Sequence, residues 1–600
     1  MSSKGLKTRE QIDKKYKWNI EAMISDESSI DSELESIKTR AEEYAAKYAG
    51  RLTESAATLL NAYRERDSLW RELEKIYVYA RMRRDEDNSE SKYQAMSDKC
   101  NAVIASVSAS ISFFTPELLS ASGETIQGYI AEEEGLKMYE FALNDTLRQK
   151  AHVLTQSEES LLAQMSEVTG ATGDIFTMLN NADMKFATIK DKDGDDVQVT
   201  HGNYITFMEG HDRSVRKAAY NAMYDSYKSL INTIATTYNY NTKTDVVGAR
   251  IRKYESARAA ALSGDNIPAE VYDNLISTVN ESLPVMHRYV DLRKKLLGVD
   301  KMYMYDMYVP LIELPETHIS YEEGLDIIRQ ALIPLGDEYI QKMNRGISEG
   351  WIDVYENKGK TSGAYSFGSY DSYPYILLNY TDTLNDVFTI IHEMGHSMHS
   401  RYTRDNQPYI YGSHSIFTAE VASTVNESLL MQHLLSTNDD PEMKKYLLNM
   451  HLEAFRTTLF RQTMFAEFED ITHKAIENGS VLTADWMCEQ YDALNSKYYG
   501  PAVEKDDVIK YEWARIPHFY TAFYVYKYAT GYSAATAISE KILTEGEPAA
   551  KSYIEFLKTG ESDYPIELLK IAGVDMSKPD PIKRAMKTFE SLLDQFEALL

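Results

Sequence analysis

The chain has only two cysteines in 600 residues, Cys100 and Cys488. They cannot build a disulfide framework or a thiolate metal cluster, and they point to a reducing compartment. Basic residues are also short, 64 against 92 acidic ones, for a net charge of -28. A nucleic-acid binder needs a basic face to neutralise phosphates, so no nucleic-acid partner is expected. A weak preference for basic peptides is all that the charge allows. Long apolar runs are missing too. The nearest, 102–114, is interrupted by serines and suits a buried helix rather than a membrane span. Residues 1–20 carry charges without an apolar core, so no secretory signal is expected. A soluble, cytoplasmic protein without a membrane partner is the expectation.

What is present is a long, mainly helical pattern. Six hundred residues exceed one simple core, so at least two lobes are expected. Residues 31–48, 54–84, 91–119 and 157–186 show helical apolar spacing, with Gly50 as a stop after the first. Residues 187–200 break the pattern and read as two short strands around an Asp-Gly turn. The turn is acidic, but no Glu stands where a calcium loop needs one. The domain boundary is placed there: a helical lobe over 1–200 ending in a hairpin, and a catalytic domain over 201–600. Helices resume over 212–262, 268–297 and 321–350, with a looser stretch at 300–315. Alternating aromatics with Gly and Pro over 363–380 predict two strands. An exposed edge there could pair with an extended peptide, or the strands could be purely structural. The 44 tyrosines suit a polar channel, although general core and surface use accounts for most of them.

Histidine is scarce, 13 in all, yet residues 392–396 read His392-Glu393-Met394-Gly395-His396 on a helical pattern. Histidines four apart share one helix face and can converge on one ion. A catalytic zinc site takes three protein ligands and keeps one position open. Glu393 can serve as general base. Val387, Phe388, Ile390, Ile391 and Met394 would bury the helix and hold its ligands rigid.

A polar loop is expected over 401–408, then a second helix from Phe417. Glu420, 24 residues after His396, is the candidate third ligand, and Ala419, Ala422 and Ser423 allow a close approach. Glu427 lies seven residues on, on the same face, and could support a ligand imidazole from behind. His399 is read as a neighbour of the site or a substrate contact, with metal ligation as the alternative, and His414 lies in the connecting loop. Amide hydrolysis builds charge on the carbonyl oxygen, and a donor aimed there strengthens as it builds. His518, Tyr520, Tyr524, Tyr526 and Tyr528 offer such donors, unless that stretch is simply an aromatic core helix.

With these stretches in hand, the chain resembles oligoendopeptidase F, in the thimet-oligopeptidase-like family of zinc peptidases. The match includes the His-Glu-x-x-His run, Phe417-Thr-Ala-Glu420-Val-Ala-Ser-Thr, Arg515-Ile-Pro-His518-Phe-Tyr, and the opening Tyr16-Lys-Trp-Asn-Ile. It spans nearly the whole length. The resemblance implies a mainly α, two-lobed, zincin-type (neurolysin-like) fold with a small sheet beside the metal helix and a deep channel that admits short unfolded peptides. It implies one Zn2+ per chain held by His392, His396 and Glu420, with Glu393 as base. It also implies donors from the His518 to Tyr526 stretch, Tyr520 and Tyr526 being first choices. Two other readings remain: an exopeptidase with the same zinc chemistry, and a non-catalytic helical peptide-binding scaffold. The sequence does not decide the oligomeric state.

Overall fold

The computed structural model describes residues 6–313 and 317–600. Most of the chain is helical, as its spacing predicts. Contacts divide it into two compact units that interleave along the sequence. The first takes residues 1–151, 316–434 and 538–574; the second takes 152–315, 435–537 and 575–600. The expected boundary at residue 200 therefore falls inside the second unit.

The first unit is built on helices Ile30–Tyr48, Ala56–Glu86 and Ser91–Ile111, which pack on one another. Their apolar faces form a core around Leu34, Ile37, Leu59, Leu73, Ile76 and Val107. By length and composition Ser91–Ser120 could cross a membrane. Here it breaks after Ile111, and Cys100, Val103 and Val107 face the core. The same core includes Tyr375 and Leu377, more than 250 residues away in sequence.

Those two belong to a three-stranded sheet of β3 (Ile352–Asp353), β4 (Tyr365–Phe367) and β5 (Tyr375–Leu377), in the order β3-β5-β4. β5 runs parallel to β3, with Ile352 opposite Ile376, and antiparallel to β4, with Tyr365 opposite Leu377. The pair β4–β5 is the one the aromatic alternation predicts. β3, two residues long, is too short to leave a period in the sequence. It is fixed instead by its carboxylate. Asp353 is buried, and accepts from Arg9 at 2.5 and 2.7 Å and from Lys360 at 2.7 Å. The opening segment is tied to the same place, since the Val354 N–H donates to the Tyr16 carbonyl and Trp18 Nε1 to Glu86.

In the second unit, helix Ile231–Ile251 packs on Gln156–Met178 and on Arg461–Glu477, and Pro441–Ala454 packs on Asp580–Leu599. The hairpin forms as expected, with β1 (Thr188–Lys190) antiparallel to β2 (Asp196–Gln198). The Asp191 carboxylate accepts from the N–H groups of Asp193 and Asp195, so it closes the turn itself.

Candidate metal centre

The helix that carries the histidine pair runs from Leu384–Asn406. Thr383 caps it, and the Asp386 carboxylate accepts from both the N–H and the hydroxyl of Thr381 and Thr383. That fixes the first turn and places an acid at the positive end of the helix dipole. Val387, Ile390, Ile391, Met394 and Met398 are fully buried. Against them pack Tyr321–Ala331, Glu547–Leu557, β4 and β5. The helix also continues through the stretch expected as a polar loop. Tyr402 and Thr403 are buried there, and Thr403 Oγ1 donates to the Leu557 carbonyl at 2.9 Å. The chain leaves the helix only before Pro408, which cannot extend it.

The second helix, Ile416–Thr437, crosses it at Gly395. A Cβ on Gly395 would lie 2.6 Å from Ser423 Cα and 2.7 Å from the Ala422 carbonyl oxygen. Two backbones approach this closely only because no side chain stands between them. Buried Asn426 locks the crossing by donating to the Ile391 carbonyl.

The close crossing brings the three candidate ligands together. His392 Nε2 and His396 Nε2 are 3.2 Å apart, and each is 3.5 Å from Glu420 Oε2. An ion about 2.0–2.1 Å from three ligands in a tetrahedral array sets them roughly 3.3–3.4 Å apart. The observed triangle has that size, so the donor set fits a small divalent cation. Ser423 Oγ donates to Glu420 Oε2 at 3.1 Å and aims the carboxylate. The hydrogen bond to His396 holds the Glu420 carboxyl down at about 2. Glu427 Oε1 lies 3.0 Å from His392 Nδ1. Burial pulls the His392 imidazole down, but the bond to Glu427 and the three surrounding carboxylates push it up to about 9.

Glu393 points between the helix and the sheet. Its side chain is buried, which raises its carboxyl, while His392, His396 and the Ser366 N–H of β4 pull the other way. Ser366 also meets Ser397, hydroxyl to hydroxyl, at 2.8 Å. His399 does not join the triangle. It is buried, stacked on His414 at 3.7 Å between ring centres, and leans on Phe556. Three residues past His396 the helix has turned too far, and the packing there is apolar. Burial lowers both of those imidazoles.

The remaining candidates lie in the second unit. The competing reading of this stretch as one aromatic core helix does not hold. A 3-10 turn spans Pro517–Tyr520, Phe523 has φ 53°, and an α-helix starts only at Tyr526–Glu545. His518 is exposed and stacks with Tyr524. Tyr520 stacks on Phe176 at 4.4 Å, and its buried hydroxyl has no hydrogen-bond partner among the described residues. Tyr526 is buried against Tyr272. Gly395 and Asn426 set the crossing without being singled out by sequence reasoning, although a glycine inside the histidine pair was a visible sign of close approach; Ser423, expected to permit that approach, also aims Glu420.

A helix-borne imidazole pair, a carboxylate from the next helix and a buried acid beside them define a metal-dependent hydrolase. A profile of peptidase family M3 matches residues 206–588, and an oligopeptidase F profile matches 117–186. The chain belongs to peptidase family M3 and is a metallopeptidase. It is 46% identical to oligopeptidase PepF of Bacillus subtilis over 99% of this chain and 89% of that one. It is 44% identical to group B oligopeptidase PepB of Streptococcus agalactiae over 99% and 98%. The solved oligoendopeptidase-F from Enterococcus faecium aligns over 95% of this chain and 98% of its own, with TM-score 0.75 and 39% identity.

Proposed function

We propose that the chain is a zinc-dependent endopeptidase that cleaves internal bonds of short, unfolded oligopeptides. His392, His396 and Glu420 hold one Zn2+ per chain, and Glu393 is the general base. The observation that carries this reading is the triangle of 3.2, 3.5 and 3.5 Å among the three ligand atoms. The relatives named as oligopeptidases and as oligoendopeptidase F support the substrate class. Zinc, when bound, supplies Lewis acidity and brings the pKa of water to about 7.

The chain's own groups do the rest. Glu427 holds the Nδ1 proton of His392 and so presents the Nε2 lone pair to the ion. Burial raises the Glu393 carboxyl, the direction that suits a general base. It takes a proton from the attacking water and passes it to the leaving amine. β4 is one of the two edge strands of its sheet and its Ser366 N–H faces Glu393, so an extended peptide pairing along β4 would bring its carbonyl to the site. His518, Tyr520 and Tyr526 are proposed donors to the developing oxyanion; that the Tyr520 hydroxyl has no hydrogen-bond partner among the described residues supports this. Two buried free thiols, Cys100 and Cys488, support a cytoplasmic location.

Glu393→Gln tests the reading. It should keep zinc by elemental analysis and lose roughly 10²–10⁴ in turnover. His392→Ala should lose the metal. Peptides blocked at both termini should still be cut, and an exopeptidase would leave them whole. Wild-type turnover by Glu393→Gln, or peptide binding that ignores chelator and never leads to cleavage, would sink the assignment.

A further inference from the structure

Two turns past His396 on the same helix, Arg404 reaches into a separate cavity of the first unit, with a volume of about 490 Å³. Its Nη2 donates to the Gly368 carbonyl at 3.1 Å. Its Nε and Nη1 are shut off from the surface and have no hydrogen-bond partner among the described residues. Burial of the unmatched charge pulls the guanidinium down to about 10. Leaving two such donors unmet is costly in a folded chain.

Glu74 lines the same cavity. It forms no ion pair among the described residues, and its one hydrogen bond, from the Tyr370 N–H, is long at 3.5 Å. Burial raises its carboxyl, and Arg404 is the leading charge that opposes the shift. The two opposite charges thus sense each other without touching. The neighbouring charges are already matched. Arg66 pairs with Asp67 at 3.4 Å, and the Tyr139 hydroxyl donates to Asp67 at 3.0 Å. Trp70 and Tyr409 supply aromatic wall.

A simple anion would meet the charge of Arg404 but face Glu74, and a simple cation would do the reverse. A molecule with both charges satisfies both. We infer that this cavity binds a small zwitterion with an apolar side chain, a free amino acid or dipeptide, its carboxylate on Arg404 and its ammonium on Glu74. The side chain lies against Trp70 and Tyr409. Such molecules are what hydrolysis of short peptides releases, so the site would sense products of that class of reaction. The inference needs none of the roles assigned at the metal centre.

Calorimetric titration of the full-length protein with L-phenylalanine tests it, beside phenylalaninamide, which lacks the carboxylate, and 3-phenylpropionate, which lacks the amine. Phenylalanine should bind with Kd of about 1 mM or tighter, and each half-molecule about tenfold or more weaker. Glu74→Gln should weaken phenylalanine about tenfold while peptidase turnover and melting stay near wild type, and Arg404→Met, which also removes the bond to Gly368, should weaken it at least as much. If Arg404→Met does not fold, Glu74→Gln and the two half-molecules decide alone. Equal binding of all three probes, wild-type affinity in Glu74→Gln, or no binding at about 10 mM would overturn the inference.

Discussion

A methyl group at position 395 would stand 2.6 Å from Ser423 Cα and 2.8 Å from Ser423 N, both backbone atoms that cannot swing aside. Gly395→Ala must therefore push the two helices apart, and Glu420 moves with the second. The expected result is a loss of about 1–3 kcal/mol in the metal-free protein, as for other overpacked cores, together with weaker zinc binding. Thermal unfolding without metal and a zinc titration read the two effects separately; wild-type values in both would show that the crossing has slack. Glu427 allows a second test. In the metal-free chain it helps lift His392 to about 9, so near pH 7.5 that imidazole carries a proton which the metal must displace. Glu427→Gln removes the largest upward influence and leaves burial, which pulls down. The variant should release fewer protons on binding zinc at pH 7.5, by about one at most, in calorimetry across buffers of different ionisation enthalpy. Equal release would mean that His392 is neutral without the metal.

Among the elements, β3 has the least sequence signal and the clearest charge anchor. Asp353 is buried between Arg9 and Lys360; the Arg9 and Lys360 charges hold its carboxyl down against burial, and Lys360 is itself lowered by burial. Asp353→Asn would leave buried Lys360 without its counter-charge and Arg9 with Glu86 alone, at about 3–5 kcal/mol. Its native pKa lies below the unfolded one, so Asp353 stabilises fully above pH ~4 and less as pH falls through the lowered value. The gap between wild type and variant in denaturant titrations should therefore be widest near neutral pH and narrow below pH ~4. A gap that does not change with pH would assign the loss to packing instead. The contrast with the metal helix explains what the sequence could disclose. His392, His396 and the apolar face of Leu384–Asn406 repeat at the helical period, and β4 and β5 alternate, so local spacing reveals them. β3 rests on Arg9, some 340 residues away. The continuation of the helix through polar Arg401 to Asn406 rests on contacts with Leu557 and Gly368. Tertiary contacts of that kind leave no period in the chain. His399 stays open in the sequence for a related reason: spacing gives a rough face, and whether that face meets an ion or Phe556 depends on a helix 150 residues on.

At the scale of the molecule, a cut at residue 200 looks natural in the sequence, and the two family profiles also meet near there, across 187–205. The packing is organised otherwise. Tyr375 and Leu377 of β5 are fully buried in the core that Ile30–Tyr48, Ala56–Glu86 and Ser91–Ile111 build. Trp18 and Glu86 close over the same sheet, and Arg9 supplies the charge under β3. A fragment of residues 201–600 holds every proposed metal ligand, yet it would expose one face of β5 and leave Asp353 without Arg9. Since β4 and β5 pack on the ligand helix, the loss should travel to the metal centre. Each buried aromatic or leucine side chain stripped of its cover forfeits about 1.5–3 kcal/mol, and the whole molecule holds only about 5–15. The fragment is therefore expected to show weak near-ultraviolet dichroism, no cooperative melt and less than one zinc per chain. Adding residues 1–200 as a separate polypeptide should restore part of each signal. A fragment that melts cooperatively and binds stoichiometric zinc alone would show that the N-terminal helices cover the sheet without being needed to form the site.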